Sequence, residues 1–334
     1  MTRICHLHIG MPKTGSTAIQ AALRRYRDPR IAYARLGPAN HSEPLCTIYA
    51  KAPDRFFQHR QKGRSAQQVA RLQSRYRARL EAAFRDDRDL ILSGEMLCDH
   101  LTPAEIKAML AELRRHYDAV RVIAYIRPFR ALVPSMLQQR IRVGQARFEL
   151  PAPGYRKRFQ PWLRQAGADN LEFRLFDRAA LAEGDIVADF ATRLGLDRSR
   201  ISARDRNEGL SLEALGILFH HNVTEGVRLT DPARLQARQV LLRQLRGFGT
   251  GKVGLDAALM APHVAAHQAD IDWIERVAGF AVSGPAPAVE TPIRSQEHLL
   301  EIGRAALPGL RQSAPLNRLR AAAWRLGARA MTRF

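Results

Sequence analysis

Residues 4–17 read Ile-Cys-His-Leu-His-Ile-Gly-Met-Pro-Lys-Thr-Gly-Ser-Thr. Their first part alternates apolar with polar side chains and is closed by Gly10, the pattern of a strand. Residues 16–27 then read as a helix that ends before Pro29. A glycine loop between a strand and a helix gathers backbone N–H groups and a helix N-terminus around one point, where a phosphate-like anion can bind. Gly15 permits close approach of the chain. Lys13 adds a point charge, and Ser16 and Thr17 add hydroxyl donors at the first helical turn. A Walker loop needs its Lys directly after the last glycine, whereas Lys13 precedes Gly15. No later strand ends in an Asp suited to hold Mg²⁺. Residues 90–93 run into Ser-Gly-Glu, and residues 119–126 run into Arg127.

Outward from the loop, residues 28–60 hold five Pro or Gly and read as a long irregular connection. A helix is predicted over about 65–85, with Val69, Leu72, Tyr76, Leu80 and Ala83 on one face. Residues 90–93 are a short buried strand. Thr102-Pro103-Ala104-Glu105 is a capping box with Pro at the first helical position. Residues 119–126 and 171–176 are further strands, with helices over 129–142, 185–195, 211–223, 231–246 and 264–280. Strands alternating with helices imply an α/β fold. The expected form is a three-layer α/β/α arrangement around a central parallel sheet, P-loop-NTPase-like, with a helical C-terminal third. The domain expectation is 1–282, a Pro-rich linker at 283–292, and a basic amphipathic helical tail at 293–334.

The loop resembles the 5′-phosphosulfate loop of sulfotransferases that use 3′-phosphoadenosine 5′-phosphosulfate (PAPS), the bacterial, carbohydrate-type members in particular. Those carry His-Ile-Gly-x-x-Lys-Thr-Gly-Thr/Ser-Thr and then a helix with a Gln, here Gln20. The family's other anchor is a strand ending in Arg with a Ser eight residues later, here Arg127 and Ser135. Pro128-Phe129 and Pro134 depart mildly from the polar residues usual there. Residues 205–212 match the Arg-x-Asn-x-Ser-Leu-Ser stretch of such members in part, with Gly209 where Ser is common and Arg206 a candidate nucleotide contact. The resemblance spans about 1–225. It implies that Pro12, Lys13, Thr14, Gly15, Ser16 and Thr17 bind the 5′ side of PAPS, that Arg127 and Ser135 bind its 3′-phosphate, and that adenosine 3′,5′-bisphosphate is the product. Lys13 would stabilise the leaving oxygen, with no metal required.

The implied reaction needs a base for the acceptor's proton. Glu95 is the first candidate, because it follows a strand and so belongs at the carboxyl edge of the sheet, where ligands bind in open α/β folds. His41, in the long connection, is the second, and His100 the third. His6, His8 and the His220-His221 pair read as structural. The acceptor class implied is a carbohydrate or glycolipid-like hydroxyl or amine. A P-loop kinase or nucleotidase, and a nucleotide- or glycan-binding protein without catalysis, are the alternatives.

The 334 residues carry 53 Lys and Arg against 32 Asp and Glu, a net charge of +21. Only six of the basic residues are Lys. An anionic partner and Arg-rich codon usage both account for the excess, and with the loop and Arg127 read as above no nucleic acid is needed. Three cysteines in no zinc-like spacing argue for a reducing compartment and against a metal site. No stretch approaches a membrane span, so a cytoplasmic location is expected. Residues 315–334 hold no acidic residue and place Leu316, Leu319, Ala323 and Leu326 at helical spacing. Such a helix either docks on the chain or a partner, or lies on an anionic membrane surface.

Overall fold

The computed structural model describes residues 2–201, 209–226, 232–286 and 288–312. One sheet holds five strands: β1 (Ile4–His8), β2 (Ile31–Tyr33), β3 (Asp89–Ser93), β4 (Ala119–Ile126) and β5 (Leu171–Leu175). Every neighbouring pair is parallel, in the order β2-β3-β1-β4-β5. The helices, in chain order, begin with α1 (Ser16–Arg25), α2 (Ser42–Tyr49), α3 (Phe57–Gln61), α4 (Ala66–Phe84), α5 (Leu97–His100), α6 (Pro103–His116) and α7 (Phe129–Arg142). They continue as α8 (Tyr155–Ala166), α9 (Ile186–Arg193), α10 (Leu212–Glu225), α11 (Pro232–Gln244), α12 (Ala257–Ala266), α13 (Gln268–Ala278) and α14 (Gln296–Gln312).

The chain forms two compact units. The first takes Met1–Leu132, Pro153–Arg206 and His267–Gly284, and contains the whole sheet. Strand alternation divides its core into two layers. His8 pairs with Ser93 on one side and Ile123 on the other, so these residues share a face. On that face Ile91, Ile123 and Tyr125 pack with Ile19 and Leu23 of α1 and Ile186 and Phe190 of α9. Leu7, Leu92 and Val122, one residue out of step, are buried on the opposite face, where α6 and α8 contact β4 and β5. The expected three-layer α/β/α architecture with a parallel sheet is therefore the architecture of this unit.

The second unit takes Val133–Ala152, Asn207–Ala266 and Pro285–Phe334. Its centre is the crossing of α10 and α14, where Gly216 and Gly303 let two backbones touch. A Cβ on Gly216 would lie 2.7 Å from the Gly303 nitrogen. Buried Arg238 of α11 donates to the Ile141 and Arg142 carbonyls at 2.9 and 2.8 Å, so it closes the last turn of α7.

One segment differs from the sequence reading. Residues 28–60 contain β2 and α2, not only irregular chain. A three-residue edge strand is too short to show a period, and Pro44 sits in the first turn of α2, where its missing N–H costs little. Residues 296–312, expected as part of a helical tail, form α14 with Leu299, Leu300 and Leu310 buried. The remainder of that tail, 313–334, and Arg206 lie outside the described residues. Among the described residues no helix is long and apolar enough to cross a membrane.

The long connection is fixed by one buried carboxylate. Glu43 accepts from Lys62 Nζ at 2.5 Å, Arg64 at 2.6 Å and the Tyr76 hydroxyl at 2.9 Å. Burial pushes its pKa up, but these donors outweigh burial and hold it down at about 2, against an ordinary 4.5. A depressed carboxylate stabilises the fold fully above its ordinary pKa and loses that contribution as pH falls through the folded value. Glu43→Ala is expected to cost about 1–3 kcal/mol in urea unfolding at pH 7. The difference from the parent should shrink between about pH 4.5 and pH 2. An unchanged midpoint at pH 7 would remove Glu43 from this role.

Candidate active site

Because the central strands β3, β1 and β4 are neighbours and parallel, their carboxyl ends lie side by side. The segments after them are the glycine loop, Gly94-Glu95 and Arg127. The chain passes from the β1–β3 side of the sheet to β4 at this point, the kind of switch that opens a crevice in α/β folds.

The loop takes an unusual path. Gly10, Lys13 and Gly15 all have positive φ, at 51°, 71° and 75°. Gly10 is needed on two counts, since a Cβ there would meet Glu95 Cα and Ser16 Oγ at 2.9 Å each. Gly15 is the N-cap of α1, and no side chain caps that helix. Lys13 is not glycine, so its left-handed backbone costs roughly 1–2 kcal/mol and must be held from outside. Arg127 does this by donating to the Lys13 carbonyl at 2.7 Å, with its guanidinium 5.6 Å from the Phe176 ring centre. Thr14 turns inward and donates to the Met11 carbonyl at 2.6 Å, so its hydroxyl closes the loop. The Ser16 hydroxyl is buried without a well-formed hydrogen bond, and Thr17 is exposed. Pro12 and Lys13 are half-buried.

Glu95 packs against Gly10 and faces Lys13 and Ser16. Burial raises its pKa, Lys13 and Ser16 pull it down, and Asp99 adds a like charge that pushes it up; the net direction is upward. A half-buried carboxylate beside a lysine at a loop of this kind has the chemistry of a proton acceptor.

His41 has a different position from Glu95. It is fully buried, stacks on Tyr33 at 4.5 Å, and its Nδ1 accepts from the Ser93 N–H at 3.1 Å. Burial lowers its pKa to about 3. It is thus a neutral clasp between β3 and the long connection. His100 is exposed and stacks on Phe57 at 5.2 Å. Ser135 lies on the part of α7 that belongs to the second unit, where it is buried.

Ser93 was not singled out by its sequence position, yet it joins the floor of the site. Its Oγ is 2.8 Å from His8 Nδ1 and accepts from Gln20 Nε2 at 3.2 Å, while its carbonyl accepts from the His41 N–H at 2.8 Å. Only the burial of the strand end could have pointed to it. His8, also fully buried, is lowered to about 4 by burial. Among the described residues no three His, Cys, Asp or Glu side chains are grouped to hold a metal ion.

No family model matches the chain. No curated protein matches it either. Among solved structures it is similar to a sulfotransferase from Alicyclobacillus acidocaldarius, at 14% identity and a TM-score of 0.34, over 71% of this chain and 100% of that one. At that distance the likeness carries no weight for the site, whose case rests on its own residues.

Both buried imidazoles have folded pKa values below their ordinary 6.5, so an unfolded chain binds more protons once pH drops below that value. The unfolding free energy is expected to fall between pH 6.5 and about 4, as measured by urea unfolding. His8→Asn should flatten part of that slope. A level profile over this window, with or without the substitution, would contradict the neutral assignment.

Proposed function

We propose that the chain is a sulfotransferase that moves a sulfuryl group from PAPS to a hydroxyl or amine of a carbohydrate or glycolipid-like acceptor. The observation that carries this reading is the convergence at one sheet edge of Lys13, Arg127 on its carbonyl, and Glu95 against Gly10. Three features fit the 5′ side of such a nucleotide: an uncapped helix N-terminus, a buried hydroxyl without a well-formed bond at Ser16, and a left-handed Lys13.

When bound, PAPS supplies the sulfuryl group and departs as adenosine 3′,5′-bisphosphate. The chain's own residues do the rest. The N-terminus of α1 and the Ser16 and Thr17 hydroxyls bind the 5′-phosphate. Lys13 stabilises the charge that grows on the leaving oxygen, and a fixed loop means little rearrangement at that moment. Glu95 takes the proton from the acceptor as the new O–S or N–S bond forms. Arg127 holds Lys13 in place and offers donors to the 3′-phosphate. An Arg-rich body suits an anionic glycan, with the acceptor approaching from the Glu95 side. Contact of residues 313–334 with an anionic membrane surface would bring the enzyme to lipid-linked acceptors; no nucleic-acid partner is proposed.

Adenosine 3′,5′-bisphosphate should raise the melting temperature without Mg²⁺, and ATP much less. The reverse ranking would favour a kinase or nucleotidase and overturn the proposal. With radiolabelled PAPS and a panel of glycan acceptors, Lys13→Ala should lower transfer by about 10²–10³-fold. Glu95→Gln should lower turnover by about 10²–10⁴-fold with nucleotide binding retained. A fully active Glu95→Gln would place the base elsewhere.

A further inference from the structure

Glu95 and Asp99 lie on one turn of chain. The Asp99 N–H donates to the Met96 carbonyl at 3.1 Å, and Cys98 Sγ donates to the Glu95 carbonyl at 3.4 Å. Asp99 in turn accepts from Arg158 Nε at 2.7 Å, in a pair whose side chains are only 25% and 13% exposed. Arg158 is on the first turn of α8 and also donates to the Pro153 carbonyl. This turn is itself firmly held. Tyr155 and Arg156 donate their N–H groups to the Asp270 carboxylate at 2.9 and 2.7 Å. The buried Tyr155 hydroxyl donates to the Arg127 carbonyl at 2.7 Å. One turn of one helix therefore grips the chain at the end of β4 and the turn that carries Glu95.

We propose that Arg158 and Asp99 are positioning residues for Glu95: the ion pair fixes the turn that carries this carboxyl and sets how much negative charge stands beside it. The proposal rests on the reading of Glu95 as the base. It adds two residues outside the glycine loop and Arg127, one of them from an element that no sequence motif marks.

Among the described residues, these charged, titratable and hydrogen-bonding groups surround Glu95. Lys13 faces it from the loop, Ser16 from α1, and Cys98 and Asp99 from α5, with Arg158 behind Asp99. His41, before α2, is buried and neutral. Two substitutions of the pair then push in opposite directions. Arg158→Leu leaves the Asp99 charge uncompensated, which disfavours a second charge on Glu95 and makes it titrate higher. Asp99→Asn removes the like charge and makes Glu95 titrate lower. General loosening of the fold would not split the two variants by sign.

The test is ¹³C NMR titration of the Glu95 carboxyl in the full chain, with its resonance assigned through Glu95→Gln. Opposite displacements of about half a pH unit or more in the two variants are expected. Arg158→Lys should return toward the parent. Displacements of the same sign, or none, overturn the proposal whether or not the protein is active. The acid limb of kcat/KM for sulfuryl transfer should move with the NMR values. If the carboxyl shifts as described and the limb stays in place, it is Glu95 as the base that fails, and the two failures are told apart.

Discussion

The carbonyl of Lys13 is turned toward the end of β4 by the left-handed backbone at that residue, and the Arg127 guanidinium meets it at 2.7 Å. This hydrogen bond joins segments 114 residues apart. Its geometry depends on the sheet: only with β1 and β4 adjacent and parallel do the loop and the Arg come off the same edge. Arg127 is in turn held through its own carbonyl by Tyr155, and its ring neighbour Phe176 also touches the position of Gly15. Removing the guanidinium would thus release the lysine backbone as well as a cation. A charge-assisted bond to a peptide carbonyl is among the stronger kinds in such a half-buried place.

Below the loop the molecule is polar and buried. His8, Ser93, Gln20 and His41 are linked by buried hydrogen bonds between β1, β3, α1 and the start of α2. Burial keeps both imidazoles uncharged, so this floor contributes shape and rigidity and little field. Among the described residues, the charges at the site stand on its rim: Lys13, Glu95, Asp99, Arg158 and Arg127. The proposed sulfuryl transfer would use such a division, since charge must then be stabilised at one atom with little movement of the surroundings.

Much of this was legible in the chain, for definable reasons. The alternation before Gly10, the run at 119–126 and the capping box at 102–105 are local signals that the tertiary structure had no cause to override. Glu95 could be placed because a residue just after a parallel strand has to lie at the sheet's carboxyl edge. What stayed hidden depends on pairing at long range. β2 is three residues whose identity as a strand comes from β3 beside it. Residues 296–312 look like the rest of a basic tail until Gly303 is set against Gly216. His41 had a plausible proton-accepting side chain in a plausible loop, and only its complete burial on the Ser93 N–H shows that the ring is engaged inward. Arg158 and Asp99 are separated by 59 residues, and no spacing rule brings them together.

The backbone at Lys13 also bears on any attempt to improve this protein. Judged by conformation alone, position 13 calls for glycine, and a stability-guided redesign would rank Lys13→Gly as a gain. The same choice would delete the one amine at the loop. Local strain coincides here with the proposed role: a residue poorly suited to its backbone is the one whose side chain the proposed transfer would use at the leaving oxygen. Engineering for robustness would therefore do best to leave this position untouched and to work on surfaces away from the carboxyl edge of the sheet.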